Sequence, residues 1–397
     1  MTTLVEIDGN DVTNLSLAGS STRRLNRMSQ AQVTLPMEEV DASWGTGSRL
    51  KVTFDGNLHH HGIVMLCETE AGEDTGTTVF NSRDPLDIWS WRPVRDDDGD
   101  YTKPGITWDP AFPPASKTGP QIIEQMMDNS ENAMVPSDNG FPDGPLLLAR
   151  GNFASGGVDL SGAPTDWPMT MADLASLLTS TGELDIVITP IDTDIDGNIG
   201  QIDCYNGNYG DDLSTVIAFQ YGMGQRNIRA LRHNEDATNV ISKLRYLLGP
   251  RVQTSADPAG DQHWRTSVDT GGPNVPDLCD YETEFTYVED LYGGRFDIRI
   301  FDGDDIANAK ELYLRLFALE ACLRSIPRLL VHITPTRETE IFTFDIGDVI
   351  TVEAAAVVRG GFSGEQRVYG YTIAWEGEDS VRYLSELTTS PDQEGLV

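Results

Sequence analysis

The sharpest local pattern in the chain is Asp192-Thr193-Asp194-Ile195-Asp196-Gly197-Asn198-Ile199-Gly200-Gln201-Ile202-Asp203. Carboxylates at alternate positions, a glycine directly after the third and a closing acid fit the calcium-loop pattern, with Asp203 where glutamate is usual. Ca²⁺ takes about six to eight oxygens, and Gly197 permits the sharp turn that gathers them. A metal here would draw the side chains of Asp192, Asp194, Asp196 and Asp203 and the backbone carbonyl of Asn198 to one point. The flanks argue the other way. Residues 184–191 and 199–205 pattern as strands, where a calcium hand needs helices. A solvated hairpin turn in an Asp-rich chain is therefore the preferred reading. In that case the carboxylates splay apart, because like charges gathered without a cation repel.

His59-His60-His61 is the next cluster. Successive strand residues point to opposite faces, so His59 and His61 share a face that excludes His60. No Cys, Asp or Glu stands beside them at a zinc-ligand spacing, and an exposed strand end is the expected setting. Nucleophilic chemistry has little to work with. Ser363, in Gly360-Gly361-Phe362-Ser363-Gly364-Glu365, lacks the G-x-S-x-G spacing. Gly222-Met223-Gly224 has no third glycine and no basic residue for a phosphate. Cys67, Cys204, Cys279 and Cys322 form no C-x-x-C pair and are expected as separate thiols. Carboxylate pairs suited to glycoside hydrolysis can be drawn almost anywhere, and none stands out. The chain is not expected to be an enzyme or to need a cofactor.

Charge sets the wider frame. The 397 residues carry 63 acidic side chains (40 Asp, 23 Glu) against 28 basic ones (23 Arg, 5 Lys), a net charge of -35. The acids are spread along the whole chain. Such a surface repels itself and repels nucleic acid. Salt relieves the first problem, since the Debye length falls to about 3 Å at molar ionic strength. Asp-rich, Lys-poor surfaces resemble those of halophilic proteins, and a high-salt origin is expected. A 39% hydrophobic content with 23% charged residues suits a folded protein with real cores. Met1-Thr2-Thr3 runs straight into strand-like sequence, so no signal peptide is expected. No apolar run approaches ~20 residues, so no membrane span is expected.

The elements that must position these residues are mostly strands. Strands are expected at 4–7, 12–17, 31–35, 49–54, 62–67 and 77–80. Leu50, Val52 and Phe54 alternate with Arg49, Lys51 and Thr53, the period of a half-buried strand, and Asp55-Gly56-Asn57 supplies the turn after it. Asp84-Pro85-Leu86 starts a short helix with Pro at its first position. Helices are expected at 120–127, 170–179, 237–248 and 305–326, the last with a Leu312, Leu316, Leu319, Leu323 stripe stopped by Pro327. Further strands are expected at 184–189, 199–205, 295–301, 330–333, 341–344, 349–352, 368–375 and 381–387. The predicted fold is a β-rich α+β chain: two small tube-like β-barrel domains, 1–94 and 216–397, around an α+β insert, 95–215.

The order of these pieces resembles the baseplate hub, or tail-tip minor tail protein, of a siphovirus-like tailed virus. The quoted marks are Leu50-Lys51-Val52-Thr53-Phe54-Asp55-Gly56 with His61-Gly62-Ile63-Val64-Met65, then Asp84-Pro85-Leu86 and Arg92-Pro93-Val94. The helix at 171–179 before the hairpin at 185–205 follows. Next comes Phe219-Gln220-Tyr221-Gly222, leading to a helix that carries Asn239. Ile333-Thr334-Pro335 and Phe344-Asp345-Ile346-Gly347-Asp348-Val349-Ile350 complete the set, with closing strands at 368–387. The resemblance spans most of the chain at the level of pattern. It implies a virion protein at the tail tip: a homotrimer whose two barrels per subunit make a six-barrel ring continuing the tail tube. Its implied partners are the distal tail protein, the tape measure protein and the receptor-binding or fibre proteins, with viral DNA passing through unbound. Another tail component, such as a distal tail or tube protein, is an alternative reading and would make a hexamer. A carbohydrate-binding or glycan-active β-protein of a halophile is the reading from a different class; it needs an aromatic groove, for which Trp89, Trp91, Trp108 and Trp167 are candidates, and a carboxylate pair.

Overall fold

The computed structural model describes residues 2–72, 76–94, 118–132, 145–157, 170–179, 182–207, 209–221, 227–236, 243–248, 296–301, 328–337, 343–354, 363–376 and 381–390. The N-terminal strands are β1 (Thr3–Ile7), β2 (Asn10–Asp11), β3 (Ala18–Arg24), β4 (Gln30–Pro36), β5 (Arg49–Phe54), β6 (Asn57–Ala71) and β7 (Gly76–Arg83). After a 3-10 helix, Pro85–Ser90, come α1 (Gly119–Asn132), β8 (Leu148–Phe153), α2 (Met171–Thr179), β9 (Asp185–Pro190) and β10 (Gly200–Tyr205). The chain continues through β11 (Ala218–Gln220), β12 (Ile228–Asp236), β13 (Lys243–Leu248), β14 (Phe296–Phe301), β15 (Arg328–Pro335), β16 (Val349–Glu353), β17 (Ser363–Glu376) and β18 (Val381–Ser390).

Local chemistry explains the first hairpins. Asp8-Gly9 and Asp55-Gly56 are two-residue turns with positive φ at both positions (50° and 79°, 49° and 81°). That is the turn whose twist matches antiparallel strands, and Asp-Gly is a sequence that tolerates it. In β5 the alternation works as expected: Leu50, Val52 and Phe54 are buried and their neighbours half-exposed. Both helices open on side-chain caps, a single bond at α1 and a reciprocal pair at α2. Thr118 N–H donates to Gln121 Oε1 ahead of α1, and Thr170 and Asp173 exchange bonds ahead of α2.

Thirteen strands share one sheet, in the order β12-β15-β18-β17-β3-β4-β7-β6-β5-β1-β2, with β16 on β17 and β11 on β16. The N- and C-terminal strands therefore meet at a single ladder, β3 against β17. One apolar cluster runs across that join, from Val5, Phe54 and Phe80 to Ile350, Ile373, Trp375 and Leu387. The middle of the chain has its own core: α1, α2 and the sheet β8-β10-β9 pack around Ile122, Met126, Leu174, Leu178 and Ile202, together with Trp89 and Val94.

Several expected elements differ. The strand expected at 12–17 is a 3-10 turn, Thr13–Leu15, because Asp11 Oδ1 accepts from Thr13 N–H while Thr13 Oγ1 accepts from Val5 N–H. Of the helix expected at 237–248, residues 243–248 form β13, paired in parallel with β14. Thr343 and Phe344 lie outside any strand, since Asp345 and Asp348 bend the chain there. The helix expected at 305–326 falls outside the described residues, as do Trp108, Trp167, Cys279 and Cys322. No helix among the described residues is long and apolar enough to cross a membrane.

Candidate functional site

Three parts of the chain converge beside the β3–β17 ladder. Arg367, on β17, points its guanidinium at Asp185, the first residue of β9. Nη2 donates to Oδ2 at 2.6 Å and Nη1 to Oδ1 at 3.4 Å. The side chains are 5% and 2% exposed. Arg367 Nη2 also donates to the Tyr209 carbonyl (2.7 Å) and Nε to the Gly347 carbonyl (3.2 Å). Asp185 accepts further bonds from Tyr209 N–H (3.0 Å) and Asn26 Nδ2 (3.3 Å). Asn26, in the turn after β3 at φ 61°, pairs both ways with the Ile186 backbone through its own amide and Oδ1. A buried ion pair is tolerable only when its other donors and acceptors are satisfied as well. Here they are, by groups from the N-terminal strands, the middle and the C-terminal strands together.

The Asp345-Ile346-Gly347-Asp348 turn completes this junction. Asp348 accepts from Asp211 N–H and Asp345 N–H (2.8 and 2.7 Å), and Asp345 pairs with Arg23 of β3 at 2.7 Å. Gly347 has φ +87°, and a Cβ there would lie 2.6 Å from the Tyr209 ring and carbonyl. Glycine is required on both counts.

The three histidines are not at an exposed strand end. They are 5%, 1% and 5% exposed. The ladder between β5 and β6 runs from Val52↔His60 to Thr53↔Leu58, leaving His59 as an extra, bulged residue. The bulge changes the expected facing. His59 lies on the core side, between the Phe54 and Tyr371 rings (5.1 and 5.6 Å), bonded to Ser21 Oγ at 2.7 Å. His60 opposes core Val52 and bonds Ser82 Oγ at 2.9 Å. His61 takes the other face with Lys51 and bonds the Ile191 carbonyl at 2.7 Å. Burial holds all three below the ordinary imidazole range, His60 down to about 3. They are neutral packing groups, each with its own partner.

The Asp192–Asp203 segment lies across β5, and its acids take separate partners. Asp192 Oδ1 pairs with Lys51 Nζ at 2.5 Å. Asp194 accepts from Asp196 N–H, Asn198 N–H and Asn198 Nδ2, each at 2.9 Å, and the bond from the Asn198 side chain holds its carboxyl below the usual range. Asp203 sits on β10 and accepts from Asn152 N–H of β8 at 2.6 Å. Arg49 ties the loop down through Thr193 Oγ1 and the Gly197 carbonyl. Among the described residues no group of three or more His, Cys, Asp or Glu is placed to hold a metal ion. Ser363 opens β17 on the exposed surface, and Gly222-Met223-Gly224 lies outside the described residues. Cys204 is buried, which pushes its thiol well above the ordinary value.

Sequence reasoning passed over the junction, because Arg367 and Asp185 stand 182 residues apart. The Gly-Asp turn at 347–348 was the one local signal near it. No protein-family model matches the sequence, and no curated protein matches it. Solved structures do. The 43 kDa tail protein of prophage MuSo2 from Shewanella oneidensis aligns over 99% of this chain and 99% of its own, at 12% identity and a TM-score of 0.58. The tail protein from Neisseria meningitidis MC58 aligns over 98% of this chain and 96% of its own, at 12% identity and a TM-score of 0.53. At that identity the likeness is one of fold: the chain has a fold similar to that of these tail proteins.

Proposed function

We propose that the protein is a structural hub at the distal end of a viral tail, of siphovirus-like form and from a high-salt host. The observation that carries this reading is the end-to-end alignment with the Shewanella prophage tail protein. In the proposed arrangement 1–94 and 216–397 are two tube-like units, joined through β3 and β17 and braced by the insert at 95–215. Three copies would set six such units around a channel that continues the tail tube. The distal tail protein and tape measure protein would meet one rim, and receptor-binding or fibre proteins the other. A net charge of -35 favours a lumen through which DNA slides without sticking. The reading assigns the chain no catalytic step.

Native mass spectrometry of the purified protein at high salt, with cryo-microscopy of virions, tests the proposal. A trimer and threefold density at the tail tip are expected. Sixfold density would move the assignment to a distal tail or tube protein. A monomer in solution with no density at the tip would overturn it.

A further inference from the structure

Arg229 and Arg232 stand apart in so acidic a chain. Lys51, Arg150, Arg337 and Arg382 all reach carboxylates. Arg229 and Arg232 are exposed on β12 and make no ion pair or side-chain hydrogen bond among the described residues. A bulge places them together. Ile228 opposes Pro335 and Ala230 opposes Thr334, so Arg229 is the extra residue. Ile228 and Leu231 turn to the core, while Arg229, Ala230 and Arg232 are exposed. Arg232 lies two rungs beyond Ala230, about 6.6 Å along the strand. Strand β12 also ends the sheet order, and among the described residues no strand pairs with its outer edge.

A complementary edge exists elsewhere. Pairing with β5 stops at Ile63, whereas β6 continues with β7 as far as Ala71. Residues 66–71 therefore have a second edge without a strand partner among the described residues. Leu66, Glu68 and Glu70 alternate along this stretch. Leu66 is 47% exposed, and the two glutamates are exposed and form no ion pair among the described residues. Glu68 and Glu70 share one face, also about 6.6 Å apart. Open edges of this kind are templates for pairing with another chain.

We propose that β12 of one copy pairs with the 66–71 edge of the next, setting Arg229 and Arg232 against Glu68 and Glu70. Main-chain bonds supply the attachment, and the charges select the register. The two patches differ, so the contact is heterologous and closes a ring if the rotation allows. This deepens the ring reading above and rests on it.

Charge reversal separates the two ideas. Native mass spectrometry should show Arg229→Glu/Arg232→Glu and Glu68→Arg/Glu70→Arg each losing the trimer, and the fourfold variant regaining it. Circular dichroism melts, unchanged from the parent protein, identify folded variants, and the regained trimer guards against misfolding as the cause of loss. A parent trimer that survives either double reversal overturns this contact and leaves the ring reading standing. Loss in both doubles without recovery in the fourfold variant overturns the pairing of these strands. Reversal that spares the trimer but abolishes capture of another tail protein assigns the arginines to that partner instead. A monomeric parent protein overturns the contact, and together with no density at the tail tip it overturns the ring as well.

Discussion

Two seams tie the C-terminal strands to the rest of the chain, one to the N-terminal strands and one to the middle, and they are made of opposite materials. At one, Trp375 of β17 lies opposite Gly19 of β3, packs edge-on to Phe54 (5.8 Å) and donates its indole N–H to Ser16 Oγ at 3.0 Å. At the other, Arg367 and Asp185 meet as a fully buried ion pair. The apolar seam gains from area removed from water and accepts many small adjustments of geometry. The charged seam gains little net energy over an apolar replacement, but it works in one arrangement only. The first holds the halves together; the second fixes how they and the insert are oriented. For a subunit of the proposed ring, orientation would matter as much as adhesion.

The largest effect should come from breaking the charged seam on one side. Asp185→Ala leaves the Arg367 guanidinium buried without its carboxylate and should cost about 3–5 kcal/mol in chemical denaturation. Asp185→Leu with Arg367→Met should recover much of that stability, because two desolvation penalties disappear together. If the single variant melts like the parent protein, the pair does not define the junction. If the double variant is stable yet fails to assemble, the orienting role is sharpened.

The apolar seam is tested by crowding it. A Cβ on Gly19 would lie 2.0 Å from the Trp375 ring and 2.7 Å from the Gln32 carbonyl. Gly19→Ala should therefore cost about 3 kcal/mol, the upper end of typical overpacking. Gly45 offers a control, since nothing lies within 4 Å of a Cβ there. Equal losses at the two glycines would show that backbone freedom, not contact with Trp375, explains the requirement.

The same contrast explains which parts of the fold were legible. Alternation in β5 and the Asp55-Gly56 turn are local signals, and they led to the right elements. Strand β3, Ala18-Gly-Ser-Ser-Thr-Arg-Arg, has no apolar alternation at all. It is a strand because small residues are what Trp375 and His59 require opposite them, and those partners are remote in sequence. Residues 243–248 satisfy a helical spacing and a two-residue period at once, and pairing with β14 decided between them. The His59 bulge shifts the side chains directly after it by one face, a change that no composition announces. The candidate site was the least legible part, because ion pairs such as Arg367–Asp185 and Arg23–Asp345 join distant segments.

Between the seams lies a third material, neutral polar side chains inside the apolar cluster. His60 is neutral when folded, with its pKa pushed by burial down to about 3, and ordinary when unfolded. Its contribution to stability is full above about pH 6.5 and is lost as pH falls toward 3, because the unfolded chain takes up the proton first. Asp84 opposes this slope. Burial raises its carboxyl to about 7, so its contribution is lost as pH rises through that value. A difference measurement removes the opposition. Between pH 7 and pH 5, His60→Gln should gain about 2 kcal/mol relative to the parent protein. A difference that is flat with pH would mean that His60 is protonated or solvated in the folded state.

The smallest effect belongs to the Asp192–Asp203 loop, which is charged like the junction but open to water. Asp192 is 81% exposed in its pair with Lys51. Lys51→Ala should cost under about 1 kcal/mol, and less as salt is raised. Calcium is the sharper probe. A ligand that binds only the folded chain stabilises it in proportion to the logarithm of its concentration. To gather around an ion, Asp194 would give up three N–H donors, Asp192 would leave Lys51, and Asp203 would release the β8 backbone. The expected result of adding millimolar calcium to chelator-treated protein is therefore an unchanged melting temperature. A rise of several degrees, abolished by Asp194→Asn, would show that the loop abandons these bonds for a metal. The open charged region would then be a second fixed joint, like the one at Arg367 and Asp185.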